Sequence, residues 1–176
     1  MQNPFKYIIT LIAIINILYS KTDIKIIKST DRALHFEIET HAKTAADLYT
    51  KSIFVGLPST VLPKTRIVYN EELPIPFKSE KSNSDIFTWS KIQKNKNLNT
   101  AVLFINPKSN GASYYNKIKI ELSFEKVNQN HRLANNNESK TLSNKIINWQ
   151  IAKNWVINSA FRKPNKPSVP LSGHWI

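Results

Sequence analysis

His35, Glu37, Glu39 and His41 recur at every second position. On a β-strand that spacing places all four on one side, and imidazole and carboxylate are both ligands for a divalent metal. Distance argues against a joint site. The stretch from 35 to 41 spans about 20 Å at ~3.3 Å per residue, whereas zinc holds its ligands within about 2.3 Å. A neighbouring pair could bind only with help from elsewhere, so a solvated strand face is expected. The other two histidines, His131 and His174, fall in an Asn-rich loop and near the C-terminus, where solvated side chains are expected.

Nucleophilic chemistry finds little support. The chain has no Cys, which excludes a cysteine nucleophile, a Cys-ligated zinc and a disulfide within it. It has three Gly and neither a G-x-S-x-G elbow nor a G-x-x-x-x-G-K-[ST] loop. A Ser-His-Asp triad is recognised by geometry, so counting leaves it open. Asp47 and Asp85 lie near apolar runs, and neither has an evident carboxylate partner for glycoside chemistry. No catalytic, cofactor-binding or metal-binding residue is assigned, and a non-catalytic module without a cofactor is expected. Trp149 and Trp155, with Tyr114 and Tyr115, could form a stacking platform. The helical spacing of the tryptophans points to core instead.

The net charge is +13, from 25 Lys and Arg against 12 Asp and Glu. Only four of the 25 are Arg, and the 21 Lys accompany 20 Asn and 23 Ile. That is the composition an AT-rich coding sequence supplies. A nucleic-acid footprint clusters on one face and favours Arg; here Lys91, Lys94 and Lys96 are interleaved with Asn and the rest are scattered. No specific nucleic-acid partner is expected.

The elements that must position these residues begin with a leader. Tyr7 to Leu18 is an apolar run of about a dozen residues behind Lys6. That is short for a membrane span, which needs about 20, and it fits a signal peptide cleaved after Ser20. An N-terminal anchor is the competing reading. The expected organisation is a signal peptide at 1–20, a β-rich module at 21–161, a Pro-rich linker at 162–170 and the start of a further β domain at 171–176.

Within the module, 23–39 reads as a hairpin turning at 29–32, with Leu34, Phe36 and Ile38 buried. Strands are expected at 52–57, 66–69, 85–91 and 101–105. A polar linker occupies 79–84. The pair Asn110-Gly111 marks a turn into 114–125, giving a half-buried hairpin with Ile118, Ile120, Leu122 and Phe124 on one face. A loop is expected at 128–140. Leu142, Ile146, Trp149, Ala152 and Val156 then form one stripe of an amphipathic helix over 141–161, capped by Thr141 or Ser143. The fold class expected is all-β, mainly antiparallel and sandwich-like, with one amphipathic helix near the C-terminus and a signal-peptide helix at the N-terminus.

The order of these elements, with Gly56-Leu57-Pro58-Ser59, Glu71-Glu72-Leu73-Pro74-Ile75-Pro76, Tyr114-Tyr115-Asn116-Lys117-Ile118, Asn148-Trp149-Gln150 and Ser168 to Ile176, resembles the N-terminal pro-region of the gingipain family of cysteine peptidases. That family includes the PorU-like sortase of the type IX secretion system. The resemblance spans 23–176 and carries no catalytic residue with it, since the family's His and Cys lie downstream. It implies an exported module in the periplasm, outer membrane or cell surface of a Bacteroidetes-like bacterium. It also implies a partner: a downstream or cognate peptidase or β domain, bound by strand edges and the apolar face of the 142–156 helix, with outer-membrane secretion machinery as a further partner. The alternative is a free-standing adhesion or carbohydrate-binding β module using Trp89, Tyr114 and Tyr115. A basic protein that binds anionic surfaces is a third reading.

Overall fold

The computed structural model describes residues 24–78, 85–109, 112–125 and 130–158. The expected signal peptide, the linkers at 79–84 and 162–170, Asn110-Gly111, and the segment 171–176 with His174 lie outside the described residues.

The chain opens with β1 (Ile24–Ser29) and β2 (Ala33–Glu39), the hairpin that period-two alternation predicts. Thr30 closes its turn: the side-chain oxygen accepts the Ala33 N–H at 3.0 Å, and the Thr30 N–H donates to the Ala33 carbonyl at 2.8 Å. A 3₁₀ turn at Ala45–Leu48 precedes β3 (Lys51–Leu57). There follow β4 (Lys64–Pro74), β5 (Phe87–Trp89), β6 (Gln93–Asn95), β7 (Leu98–Ile105), β8 (Lys108–Ser109), β9 (Ser113–Ser123) and β10 (His131–Arg132). Two short helices, α1 (Asn136–Leu142) and α2 (Trp149–Ala152), lead to β11 (Val156–Ile157).

Two antiparallel sheets face each other. The first runs β1-β2-β9-β4, with β8 beside β9; the second runs β3-β7-β5, with β6 beside β7. In the first, Leu34, Phe36 and Ile38 stand opposite Leu122, Ile120 and Ile118. In the second, Ile53 and Val55 stand opposite Leu103 and Ala101. These residues belong to one hydrophobic cluster, so the inner faces of both sheets share a core, as in a sandwich. The fold class is the expected one: mostly antiparallel β, with one helix of seven residues near the C-terminus.

Three local expectations change. The strands at 98–105 and 113–123 do not pair, because β7 and β9 belong to different sheets. Pro107 has no N–H to extend β7's ladder, and its carbonyl accepts the Tyr115 N–H at 2.8 Å as the chain crosses over. The true local hairpin is β8–β9. Next, β4 runs 11 residues rather than four, with bulges near Val68 and between Glu71 and Glu72.

The third change is the helix over 141–161, which is two short helices with turns between them. α1 starts earlier than expected. Asn135 caps it, its side chain accepting the Glu138 N–H at 2.9 Å, while the Glu138 carboxylate accepts the Asn135 N–H at 2.8 Å. This is the reciprocal capping box. Leu142, Ile146, Trp149, Ala152 and Val156 are nevertheless all buried. The stripe records burial correctly but not a continuous helix.

Candidate partner-binding surface

A β-module presents two kinds of surface to a partner: the outer faces of its sheets and the unpaired edges of its end strands. The outer face of the first sheet carries the residues that spacing had brought together. His35, Glu37 and Glu39 of β2 stand opposite Glu121, Lys119 and Lys117 of β9. β4 adds Arg66 opposite Glu121, Tyr69 opposite Lys119, and Glu71 opposite Lys117.

The result is a ladder of cross-strand ion pairs. Lys117 lies 2.6 Å from Glu39 and 3.8 Å from Glu37, Lys119 lies 3.5 Å from Glu37, and Arg66 lies 2.7 Å from Glu121. His35 is 3.8 Å from Glu121 and His41 is 3.9 Å from Glu39. Hydrogen bonding from Lys117 pulls the Glu39 carboxyl below its usual range, and hydrogen bonding from Arg66 does the same for Glu121. The carboxylates are therefore occupied by ammonium and guanidinium groups. Among the described residues no three His, Asp or Glu converge as a metal site would require. Asp47 serves structure: the Thr44 and Lys43 N–H groups donate to its carboxylate, which lowers its pKa.

The edges differ from one another. β3 ends the second sheet, and its outward edge is closed by the segment after α1. The Ile147 N–H donates to the Phe54 carbonyl at 2.9 Å. The Asn148 side chain then meets both backbone groups of Gly56, accepting from its N–H and donating to its carbonyl, each at 2.9 Å. The Asn148 amide thus stands in for the peptide group of an absent strand. Gly56 permits the approach: a Cβ there would lie 2.5 Å from the Ala152 Cβ and 3.3 Å from Ile146 Cγ2. Neither the edge closure nor Asn148's part in it was read from the sequence. A buried Asn between two apolar stripe positions was the available signal.

β4 and β1 end the first sheet, and among the described residues no strand pairs with their outer edges. Along β4 and the loop before it, Val61, Leu62, Val68, Tyr69 and Leu73 are exposed, with Val68 at 48%. Lys119 sits 5.3 Å from the centre of the Tyr69 ring, a cation–π contact. At one end the strand is tied to the second sheet, the Trp89 indole N–H donating to the Thr65 hydroxyl at 3.1 Å. The β4 edge is therefore a held, partly apolar strip with free backbone groups.

The structure withdraws the other surfaces. The stripe of the 142–156 segment lies in the protein's own core, so it offers no apolar helix face to a partner. Trp149, Trp155, Tyr114 and Tyr115 are buried, and Phe124 packs edge-on against Trp155 with ring centres 5.2 Å apart. Trp89 is half-buried with its N–H engaged. The stacking platform expected of a carbohydrate-binding module is not assembled from these residues. His131, expected in solvent, is half-buried, and its buried Nε2 has no hydrogen-bond partner among the described residues.

The sequence matches no protein-family model and no curated protein. Among solved structures, it is similar to a chain in the complex of Porphyromonas gingivalis RgpB pro- and mature domains. The similarity covers 73% of this chain and 98% of that one, with 10% identity and a TM-score of 0.50. At this identity the likeness speaks to fold. The architecture is similar to that of a chain in this gingipain complex, which is consistent with the pro-region-like fold the resemblance implied.

Proposed function

We propose that this chain is an exported, non-catalytic pro-region-like module that binds a cognate cysteine peptidase domain and keeps it latent or assists its folding. The observation that carries the reading is the fold: nearly the whole of a chain from a pro-domain and mature-domain complex is matched by this one. The absence of Cys is consistent with a module that serves a cysteine nucleophile rather than supplying one. On this reading the β4 edge is the contact surface: the β3 edge is closed, the helical stripe is buried, and of the two end strands of the first sheet β4 is the longer and carries Val68, Tyr69 and Leu73 exposed. Strand addition along Lys64–Pro74 uses free backbone groups for affinity and Val68, Tyr69 and Leu73 for selectivity. On this reading, residues 1–20 direct export to the periplasm or cell surface, and the PorU-like version of the role brings the module to outer-membrane secretion machinery.

The test is direct. The purified full chain is titrated into a gingipain-type cysteine peptidase from the same organism, with binding and peptide hydrolysis followed together. Saturable binding with loss of hydrolysis supports latency, and binding without loss supports a folding or docking role. No binding to any such peptidase sinks the reading.

A further inference from the structure

The first sheet ends at β1 on one side and at β4 on the other, and among the described residues no strand pairs with the outer edge of β1. Lys25, Ile26, Ile27 and Lys28 are all exposed, the two isoleucines at 46% and 51%. Residues directly opposite across a strand pair share a face. Ile24 and Ile26 therefore lie on the core side with Ile38 and Phe36, and Lys25 and Lys28 on the outer side with Glu37 and His35. Ile27 is the extra residue of a bulge. The two lysines, three apart in sequence, thus stand opposite residues only two apart on β2.

Charge alternates across that outer face from strand to strand. Glu71 of β4, Lys117 of β9 and Glu39 of β2 form one row. Lys119 of β9, Glu37 of β2 and Lys25 of β1 form the next, which stops at the edge on a cation. Glu37 is already shared between Lys117 and Lys119, at 3.8 and 3.5 Å. Among the described residues neither Lys25 nor Lys28 is in an ion pair. A further strand that continued the alternation would set an anion beside each of these lysines. Between the two anions it would set an apolar residue beside Ile26.

We propose that the outer edge of β1 adds an extended acid–apolar–acid segment of another protein, its two carboxylates against Lys25 and Lys28 and its apolar side chain against Ile26. A second copy of this chain does not meet that requirement. Antiparallel pairing of β1 with itself, centred on Ile26 and Ile27, sets Lys25 against Lys28, and like charges directly opposite destabilise a pair. The acid–apolar–acid run Glu37-Ile38-Glu39 of the chain itself is held in β2, between β1 and β9. The net charge of +13 repels a copy and attracts an acidic partner. Lysines and a bulge on an edge oppose indiscriminate strand pairing, so the carboxylates supply selectivity while the backbone supplies affinity. β1 lies at the opposite end of the sheet from β4, and the inference holds whether or not β4 binds a peptidase.

The purified full chain, labelled for NMR, is titrated with three synthetic peptides: acetyl-TVEVEVT-amide, acetyl-TVKVKVT-amide and acetyl-TEVVVET-amide. The last has the composition of the first with its acids spaced four apart. The first peptide should shift the amide resonances of Ile24 to Ser29 and leave those of β4 unmoved. The lysine peptide should bind at least tenfold more weakly, and the respaced peptide at least threefold more weakly. Lys25→Gln together with Lys28→Gln should weaken the first peptide at least threefold. No binding of the first peptide up to about 1 mM, shifts centred on any strand but β1, or unchanged affinity in the double variant overturns the proposal. So does equal affinity for the respaced peptide, which would show a surface that attracts anions without reading a strand. Should the double variant not fold, the three peptides on the wild-type chain decide alone.

Discussion

Asn148 is 1% exposed and holds both backbone groups of Gly56. Removing its amide strands a buried N–H and a buried carbonyl at once. Asn148→Ala should therefore cost about 2–3 kcal/mol, read as a lowered urea midpoint with an unchanged m-value; a cost under about 0.5 kcal/mol would show that water replaces the amide. Gly56→Ala drives a methyl into Ala152, and overpacking of this kind costs about 1–3 kcal/mol. The pair Arg132–Glu138 is a third residue-scale test. Glu138 is 4% exposed and closes the α1 capping box as well as the ion pair. Arg132→Met leaves that carboxylate buried without its cation, so a loss of about 3 kcal/mol is expected. A double change with Glu138→Gln should recover part of it.

Among the elements, β4 carries the functional reading. Val68 and Leu73 are exposed on a strand whose outer edge is unpaired among the described residues. Changing both to Lys should leave stability within about 0.5 kcal/mol, as exposed substitutions do. Peptidase binding should fall at least tenfold. Phe104→Lys is the control, since Phe104 is exposed on the outer face of the other sheet. Equal loss from both variants would point to nonspecific repulsion rather than the β4 edge. The bulge near Val68 fits this role: it interrupts regular edge-to-edge pairing while leaving flanking backbone groups available.

The whole molecule should lose stability in acid. The carboxyls of Glu39, Asp47, Glu121 and Glu138 are all shifted down by hydrogen bonds and cationic neighbours. Each lends stability above its unfolded pKa, near 4, and withdraws it as pH falls through the lower folded value. His131 acts in the same direction from below about 6.5. The Lys117 and Arg132 cations are shifted up by Glu39 and Glu138, so their contributions persist until strongly alkaline pH. Urea midpoints should fall between pH 7 and 5, then more steeply below pH 4.5; a midpoint that rises on acidification would contradict these assignments.

The sequence by itself determined the class of the protein. Alternation at Leu34, Phe36 and Ile38, and at Ile118, Ile120 and Leu122, fixed which strand faces are buried, because a strand's side chains must alternate whatever it pairs with. The absent Cys and missing motifs limited the chemistry, and the apolar stripe from Leu142 to Val156 marked the right residues for the core. Tertiary structure decided the rest. Periodicity says which side of a strand is buried but not which strand lies beside it, so β7 and β9, close in sequence with only the short β8 between them, go to different sheets. A helical stripe likewise records burial, while the Asn148 bonds to Gly56 break the helix to close an edge 92 residues away. His131 looked like a loop histidine because its ladder partner, Ile157, lies far along the chain. In each case the deciding partner is distant in sequence, and local pattern carries no information about it.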